Sequence, residues 1–295
     1  MTADHNGHIN VAPHSVVDRY VVVGNPVAHS RSPLIHQRFA EQTGQALTYD
    51  RLLAPLDGFE ATVRAFADEG GAGCNVTVPF KFEALRLAAH RSERAELAQA
   101  ANWLRFGKDG WHADNTDGAG LVRDIRLNAG QAIEGLRMLL IGAGGASAGV
   151  LGPLIAERPA RITVANRTVA RASELVGRHA DLGQQHGVAL DACGIGDEVA
   201  RAGTRFDIII NASSSSLSGA DVPVPADVVE PGALAMDLMY GPAAAGFLAW
   251  AQAHGARGRD GLGMLVEQAN EAFFLWRGVR PDSAHVLAEL LAGAH

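Results

Sequence analysis

Short uncharged runs of apolar residues alternate along this chain with longer stretches of mixed apolar and polar residues. Residues 20–23, 74–78 and 138–141 are such runs, and each ends at glycine or proline. This pattern is typical of strands buried on both faces of a sheet. Residues 56–69 and 264–276 are predicted helices. Because strands and helices alternate, the pattern predicts an α/β fold.

The same criteria place the remaining elements along the chain. Further strands are predicted over residues 47–54, 161–165, 188–190, 206–210, 233–237 and 257–260. Further helices are predicted from Pro33, over 82–90, 93–101, 118–128 and 150–155, from 168 to about 177, and over 243–254 and 282–292. Residues 102–106 and 110–112 are predicted to pair as a hairpin. From Arg137 onward, regular alternation predicts a parallel sheet with helices on both faces.

The stretch from 137 to 149 reads R-M-L-L-I-G-A-G-G-A-S-A-G. A buried strand, a turn with Gly142, Gly144 and Gly145, and a following helix form the dinucleotide-binding arrangement, with Ser147 at the third glycine position. The helix N-terminus would offer free N–H groups to phosphates. Residues 138–156 are uncharged over nearly the length of a membrane span, but their clustered glycines and Pro153 favour strand, turn and helix instead.

The second strand of this region indicates which dinucleotide is bound. An acid there would accept a hydrogen bond from the adenosine 2′-OH of NAD. The chain instead has Asn166, Arg167 and Thr168, with Arg171 one turn further on. Arginine binds a 2′-phosphate through charge-assisted hydrogen bonds, so the sequence favours NADP.

Composition narrows the class of protein. The chain has 295 residues, 47% of them hydrophobic, and a net charge of −7, which argues against nucleic acid as the main partner. Cys74 and Cys193 are far apart and lack metal-ligand spacing, which favours a reduced, cytoplasmic setting. Residues 1–18 have no apolar segment typical of a signal peptide and are predicted to be a disordered tail. No metal site and no membrane association are expected.

Four polar residues at three places along the chain follow predicted strands. Ser30 and Ser32 precede Pro33, so Ser32 is either an ordinary N-cap or part of a pair of hydroxyls that bind an anionic carboxylate. Local chemistry leaves both interpretations open. Lys81 follows the strand at 74–78, where catalytic groups lie in α/β folds. Asp117 lies in D-N-T-D-G, which would ordinarily be a turn and an N-cap.

Seven motifs together resemble the shikimate dehydrogenase family, in family order and over nearly the whole chain after about Tyr20. They are G-N-P-V-A-H-S-R-S-P at 24–33, N-V-T-V-P-F-K at 75–81, D-N-T-D-G at 114–118, G-A-G-G-A-S at 142–147, N-R-T at 166–168, N-A-S-S-S at 211–215 and D-G-L-G-M-L-V-E-Q-A at 260–269. The resemblance implies reversible, NADPH-dependent reduction of 3-dehydroshikimate to shikimate, in aromatic amino acid biosynthesis.

The resemblance also implies roles for individual residues. It assigns Lys81 and Asp117 to a catalytic pair that also binds substrate, and whether Lys81 donates a proton or stabilises charge stays open. It assigns the substrate carboxylate to Ser30 and Ser32, and the other polar groups of the substrate to Thr77, Asn102, Tyr240 and Gln268. Cofactor binding falls to Gly142, Ala143, Gly144, Gly145 and Ala146 at the pyrophosphate, Asn166, Arg167, Thr168 and Arg171 at the 2′-phosphate, and Ser213, Leu238 and Gly261 near the nicotinamide.

Two domains are expected: a substrate domain over residues 19–117 and 264–295, and a Rossmann-type NADP domain over 118–263, with the C-terminal helices returning to the first. The assembly is expected to be a monomer or a homodimer. Two alternatives are a quinate/shikimate dehydrogenase and a non-catalytic, NADP-binding metabolite sensor, but a sensor would need neither Lys81 nor Asp117.

Three residues depart from the family pattern. Trp103 replaces a threonine, Ala148 an arginine and Ser216 a glycine. The first substitution bears on how the substrate fits, and the other two bear on the affinity for the cofactor. Strand alternation predicts that if Asn102 faces the cleft, Trp103 faces away and is structural. A bulge would instead turn the indole into the pocket.

Overall fold

The computed structural model describes residues 17–196, 199, 205–213 and 224–293. Its strands are β1 (Asp18–Gly24), β2 (Leu47–Leu53), β3 (Gly71–Val76), β4 (His90–Arg91), β5 (Trp103–Arg105), β6 (His112–Asp114), β7 (Arg137–Ile141), β8 (Arg161–Ala165), β9 (Ala189–Cys193), β10 (Phe206–Asn211), β11 (Val229–Asp237) and β12 (Arg257–Arg259). Of the predicted N-terminal tail, residues 1–16 lie outside the described residues, whereas Asp18 already belongs to β1.

The helices occupy the segments between these strands. They are α1 (Ser32–Thr43), α2 (Phe59–Asp68), α3 (Lys81–Leu87), α4 (Glu93–Ala98), α5 (Asp117–Arg123), α6 (Gly145–Ala156), α7 (Val169–Arg178), α8 (Ala180–His186), α9 (Ala245–Ala253), α10 (Leu262–Arg277) and α11 (Ser283–Ala292). A π-helical turn, Asp124–Asn128, extends α5, and 3₁₀ turns lie at Ala226–Val228 and Gly241–Ala244.

The first sheet has the strand order β2-β1-β3-β5-β6-β4. β1 is parallel to both β2 and β3, whereas β5 is antiparallel to β3 and β6. Apolar side chains of β1 and β3 pack against Phe59 and Phe80, whose rings stack at 4.8 Å. The hairpin predicted at 102–112 is present, but Trp103 pairs with Asp114, so its turn is longer than predicted. Trp111 lies in that turn and packs on Phe106 instead of pairing in the sheet.

The second sheet has the order β12-β11-β10-β7-β8-β9, and all of its strands are parallel. From β7 the chain winds outward through β8 and β9, and it then returns to β10 on the other side of β7. The carboxyl ends of β7 and β10 therefore form the switch point at which such sheets bind ligands. This arrangement confirms the predicted α/β, Rossmann-type fold class.

The long uncharged stretch from 138 to 156 is divided between β7, a turn and α6. Within the described part of the chain, no helix combines the length and the apolar character that crossing a membrane requires.

The C-terminal helices pack next to the start of the chain. Ile35 and Phe39 of α1 share a core with Val266 and Phe273 of α10, and α11 adds Val286. The last two helices are therefore held against the first sheet's α1, although they follow the second sheet in sequence.

Several boundaries differ from the sequence predictions. α6 begins at Gly145, five residues before the predicted start, because its small residues are packed in the core, where burial outweighs their low helix propensity. The helix predicted to end near 177 is followed by α8, which was not predicted; buried His179 lies between the two.

Candidate active site

Lys81 and Asp117 form a partly buried ion pair between the two halves of the chain. Lys81 is the first residue of α3, after the turn that follows β3, and Asp117 is the first residue of α5, after β6. Lys81 Nζ donates to Asp117 Oδ2 at 2.5 Å, and the side chains are 17% and 9% exposed. Low exposure limits screening by water, so the two charges interact more strongly than a surface pair does.

Asn102 connects this pair to the C-terminal helix. Its Nδ2 donates to Asp117 Oδ1 at 2.8 Å, and its Oδ1 accepts from the Thr116 backbone N–H at 2.8 Å. Gln268 Oε1 accepts from Asn102 Nδ2 at 3.4 Å and from Thr116 Oγ1 at 3.2 Å. The structure therefore brings four of the predicted site residues, Lys81, Asn102, Asp117 and Gln268, into one hydrogen-bonded group.

Close packing of α5 against α10 places Gln268 in this hydrogen-bonded group. A Cβ on Gly120 of α5 would lie 2.6 Å from the backbone N of Gln268. Only glycine lets α5 and α10 approach this closely without displacing one of them. The position of Gln268 thus depends on a residue outside every motif that the sequence analysis identified.

Ser32 is not the N-cap of α1, which corrects one of the two interpretations that the sequence left open. Arg31 occupies the cap position without a side-chain capping bond, and Ser32 is the first helical residue. Ser30 Oγ lies 3.2 Å from Ser32 Oγ, and Arg51 holds the Ser30 carbonyl through Nη2 at 2.6 Å. Burial raises the pKa of Tyr240, and the nearby positive charge of Arg31 opposes that shift.

Tyr49 and Asn75, which were not among the predicted site residues, form a hydrogen-bonded chain to the backbone of Asn102. The Tyr49 hydroxyl donates to Asn75 Oδ1 at 2.7 Å, and Asn75 Nδ2 donates to the Asn102 carbonyl at 3.1 Å. Burial raises the Tyr49 pKa well above its ordinary value. Asn75 opens one of the family-like motifs, which was the available signal; nothing in the sequence marked Tyr49.

Thr77 lies where β3 leaves the first sheet. Its backbone N–H donates to the Val23 carbonyl at 2.9 Å, and a Cβ on Gly24 would lie 2.4 Å from Thr77 Cγ2. The glycine therefore makes room for the Thr77 side chain at the carboxyl ends of β1 and β3.

The glycine turn after β7 fits a pyrophosphate. Gly142 has φ +105°, a conformation that favours glycine, and a Cβ there would lie 3.1 Å from the Ser213 backbone N. A Cβ on Gly144 would meet no atom within 4 Å, so the turn is open on that side. The buried Ser147 hydroxyl has no hydrogen-bond partner among the described residues. The free N–H groups of α6 complete a site suited to anionic phosphates.

The end of β8 presents cationic side chains. Asn166 Nδ2 donates to the Thr168 carbonyl at 2.9 Å and so shapes the turn before α7. Arg167 and Arg171 are exposed, and neither forms an ion pair with another described residue. This arrangement suits a 2′-phosphate.

Ser213, Leu238 and Gly261 lie together at the carboxyl ends of β10, β11 and β12. A Cβ on Gly261 would lie 2.3 Å from the Leu238 carbonyl O, and the Leu238 N–H donates to the Asn211 carbonyl at 3.0 Å. Asn211 Oδ1 accepts from Ser213 Oγ at 2.7 Å, and its Nδ2 donates to buried Asp237 at 3.0 Å. Asn211 and Asp237 were not among the predicted residues.

Lys81 and the glycine turn are neighbours. A Cβ on Gly145 would lie 3.6 Å from the ring of Phe82, the second residue of α3. The half-exposed Phe82 therefore places the N-terminus of α3, which carries Lys81, beside the predicted pyrophosphate site.

Trp103 is part of the core. It is 4% exposed, its Nε1 donates to the Ala272 carbonyl at 3.2 Å, and its ring stacks on Trp276 at 5.7 Å. The side chain therefore fastens β5 to α10, the helix that carries Gln268.

We expect Trp103→Thr to destabilise the protein by about 3–5 kcal/mol, because a large buried ring and a hydrogen bond are lost. The KM for shikimate, the substrate that the family resemblance implies, should stay within a few-fold. Urea unfolding and steady-state kinetics measure the two quantities. Trp250→Thr, at a half-buried ring of α9 that packs against the core of the second sheet, serves as the control and should cost less. A large change in the ratio of shikimate to quinate activity would contradict a structural role.

Of the other two residues that differ from the family pattern, only Ala148 is described by the structure. Ala148 is 5% exposed and belongs to the core around α6, so its methyl group packs inside the second sheet's helix layer. Ser216 lies outside the described residues.

Family models match three parts of the chain. Residues 22–104 match the shikimate dehydrogenase substrate binding domain, residues 125–219 match shikimate / quinate 5-dehydrogenase, and residues 261–291 match the shikimate 5'-dehydrogenase C-terminal domain.

Individual relatives agree with these models over almost the whole length. Shikimate dehydrogenase (NADP(+)) of Methylibium petroleiphilum is 62% identical over 281 residues, covering 93% of this chain and 94% of the relative. An Ael1 enzyme from Pseudomonas putida is 46% identical with a TM-score of 0.84, covering 92% of this chain and 98% of that one. Shikimate 5-dehydrogenase of Thermus thermophilus, solved with NADP(H) and shikimate, is 28% identical with a TM-score of 0.80, covering 94% of this chain and 100% of that one. The chain belongs to the shikimate dehydrogenase family.

Proposed function

We propose that this protein catalyses the reversible, NADPH-dependent reduction of 3-dehydroshikimate to shikimate. The observation that carries the proposal is the Lys81–Asp117 ion pair, joined through Asn102 to Gln268 and adjacent through α3 to the glycine turn. The high identity to relatives named shikimate dehydrogenase (NADP(+)) supports the same activity.

The substrate-binding residues divide into two groups. Ser30 and Ser32 bind the carboxylate with their adjacent hydroxyls, and Tyr240, which precedes the 3₁₀ turn after β11, closes that end of the site. Thr77, Asn102 and Gln268 hold the ring hydroxyls. Asn75 holds the backbone of Asn102 in place, because its side chain accepts from the Tyr49 hydroxyl and donates to the Asn102 carbonyl.

Lys81 and Asp117 perform the proton and charge chemistry. When bound, NADPH supplies the hydride that reduces the substrate's ketone. Lys81 Nζ meets the negative charge that develops on the substrate oxygen and either donates a proton to it or stabilises it as a cation. Asp117 fixes Nζ at 2.5 Å and accepts a hydrogen bond from a substrate hydroxyl.

The two sheets serve different ligands in this proposal. Residues 19–117 and 264–295 form the substrate domain, and 118–263 form the cofactor domain. Packing of α10 and α11 on α1 supports the return of the C-terminal segment to the substrate side. We further propose a cytoplasmic monomer or homodimer without a nucleic-acid partner, in line with a net charge of −7 and with two cysteines, Cys74 and Cys193, that lie far apart in the sequence and lack metal-ligand spacing.

One assay tests the activity. The purified protein is given shikimate or quinate, each with NADP or NAD, and absorbance at the nicotinamide band is followed. Turnover of shikimate with NADP well above the other three combinations is the expected result. Equal or faster turnover of quinate would support the quinate/shikimate alternative, and NADP binding without any turnover would support a metabolite sensor.

The cofactor assignment has its own prediction. Arg167→Asp should raise the KM for NADP by about tenfold or more, because a charge-assisted hydrogen bond to the 2′-phosphate is worth roughly 1.5–3 kcal/mol. The KM for NAD should stay unchanged or improve. Arg178→Asp, at an exposed arginine at the far end of α7, is the matched control and should leave both KM values unchanged. An unaltered KM for NADP in Arg167→Asp would remove this side chain from the site.

A further inference from the structure

Three metal-ligating side chains lie together at the edge of the first sheet, although the sequence analysis expected no metal site. His90 belongs to β4, His112 to β6 and Asp109 to the turn between β5 and β6. One ligand atom from each lies within 4.8 Å of the others. Asp109 Oδ2 is 3.8 Å from His90 Nε2 and 3.6 Å from His112 Nε2.

These separations are close to those of an occupied site. Zinc bonds of about 2.0–2.2 Å in tetrahedral geometry place neighbouring ligand atoms roughly 3.3–3.5 Å apart. Side-chain rotations that unstack the two imidazoles and turn His90 Nε2 away from the Asp109 carbonyl would bring all three atoms onto one ion. The side chains are 48%, 71% and 29% exposed for His90, Asp109 and His112, so an ion can enter from solvent and keep water at its remaining positions.

The backbone holds the three residues in this arrangement. His90 and His112 are directly paired in the parallel β4–β6 ladder, and their rings stack at 4.4 Å. The His90 N–H donates to the Trp111 carbonyl at 3.0 Å, and the Gly110 N–H donates to the Gly107 carbonyl at 3.2 Å. Gly110 has φ +119°, which lets the turn fold Asp109 back towards the rings.

We propose that His90, Asp109 and His112 form a binding site for a late first-row divalent cation such as Zn²⁺. Two imidazoles and one carboxylate are ligands that suit Zn²⁺, Ni²⁺ and Cu²⁺ better than Mg²⁺ or Ca²⁺. The ion fastens the hairpin to β4, which leads into α4. Ser92, the N-cap of α4, and Arg94 of α4 donate hydrogen bonds to Asp114 at 2.5 and 2.6 Å. The bound ion therefore stabilises the segment that precedes Asp117.

The test is calorimetric titration of the full chain with Zn²⁺ alone, with Mg²⁺ as the comparison ion. One equivalent of Zn²⁺ should bind and raise the melting temperature, whereas Mg²⁺ should do neither. His90→Ala and His112→Ala should each weaken Zn²⁺ binding by about 10–100-fold or more, since loss of even an outer-shell partner costs that much. Asp109→Asn keeps the shape of the turn and should also weaken Zn²⁺ binding.

Two controls separate this site from other histidines. His285→Ala removes an exposed histidine that lies 3.2 Å from Glu289 and should leave Zn²⁺ binding unchanged. A variant with alanine at His5, His8 and His14, which lie outside the described residues, should also retain it. The proposal fails if the native chain binds no Zn²⁺, if His90→Ala and His112→Ala bind it as tightly as the native chain, or if the triple variant loses it.

Discussion

Lys81→Ala should lower kcat for shikimate oxidation by about 10²–10⁴-fold, the range for loss of a general acid or a charge-stabilising group. KM should change little, because the cation is needed most when negative charge forms on the substrate oxygen. Steady-state kinetics in both directions measure these values. A near-native kcat in this variant would rule out the proposed mechanism.

The chain offers a matched control for this variant. Lys81 and Lys108 are its two lysines, and Lys108 lies exposed in the turn between β5 and β6. Lys108→Ala should leave kcat and KM unchanged. Lys81→Arg separates the two possible roles, since arginine keeps the charge but does not give up a proton at neutral pH. Activity as low as that of Lys81→Ala would identify Lys81 as the proton donor, and partial recovery would identify it as a charge stabiliser.

Asp117→Asn should damage both kinetic parameters. We expect kcat to fall by about 10²-fold and the KM for shikimate to rise by about tenfold or more, because a hydrogen bond to a charged group is worth roughly 1.5–3 kcal/mol. The amide cannot fix the Lys81 ammonium as the carboxylate does at 2.5 Å, and it presents a weaker acceptor to Asn102 and to the substrate. Kinetics with varied shikimate at saturating NADP measure both effects.

Two comparisons make the Asp117 result interpretable. Asp191→Asn removes the carboxylate of a half-exposed ion pair with Arg161 and should leave kinetics unchanged. Melting temperatures of all variants show whether lost activity reflects lost fold. A native KM in Asp117→Asn would mean that Asp117 acts on Lys81 alone and does not hold the substrate.

Strands, turns and site residues that a local sequence pattern marks could be predicted from the sequence. Apolar runs ending in glycine predicted β1 and β7, since a buried strand needs apolar residues on both faces. The turn at Gly142 and the absence of an acid at the end of β8 predicted a phosphate site for NADP. Lys81 was marked by its place at the end of an apolar strand, whereas Asp117 was assigned to the catalytic pair by the family resemblance of its motif.

The tertiary structure decided which of these residues meet and what surrounds them. Gln268 reaches Asn102 because Gly120 lets α5 and α10 pack closely, and Tyr49 reaches Asn75 because β2 and β3 flank β1. Local patterns do not encode such contacts between distant positions. They depend on strand order and on which helix faces pack, which the whole core fixes together.

The hairpin shows the same division within a few residues. Its existence followed from local sequence, but its register placed Trp103 against α10 and set His112 beside His90. Register follows from the sum of side-chain packing on both faces, and a shift by one residue exchanges those faces. The sequence alone therefore determined the fold class and the family, whereas packing across the fold decided the role of Trp103 and brought His90, Asp109 and His112 together.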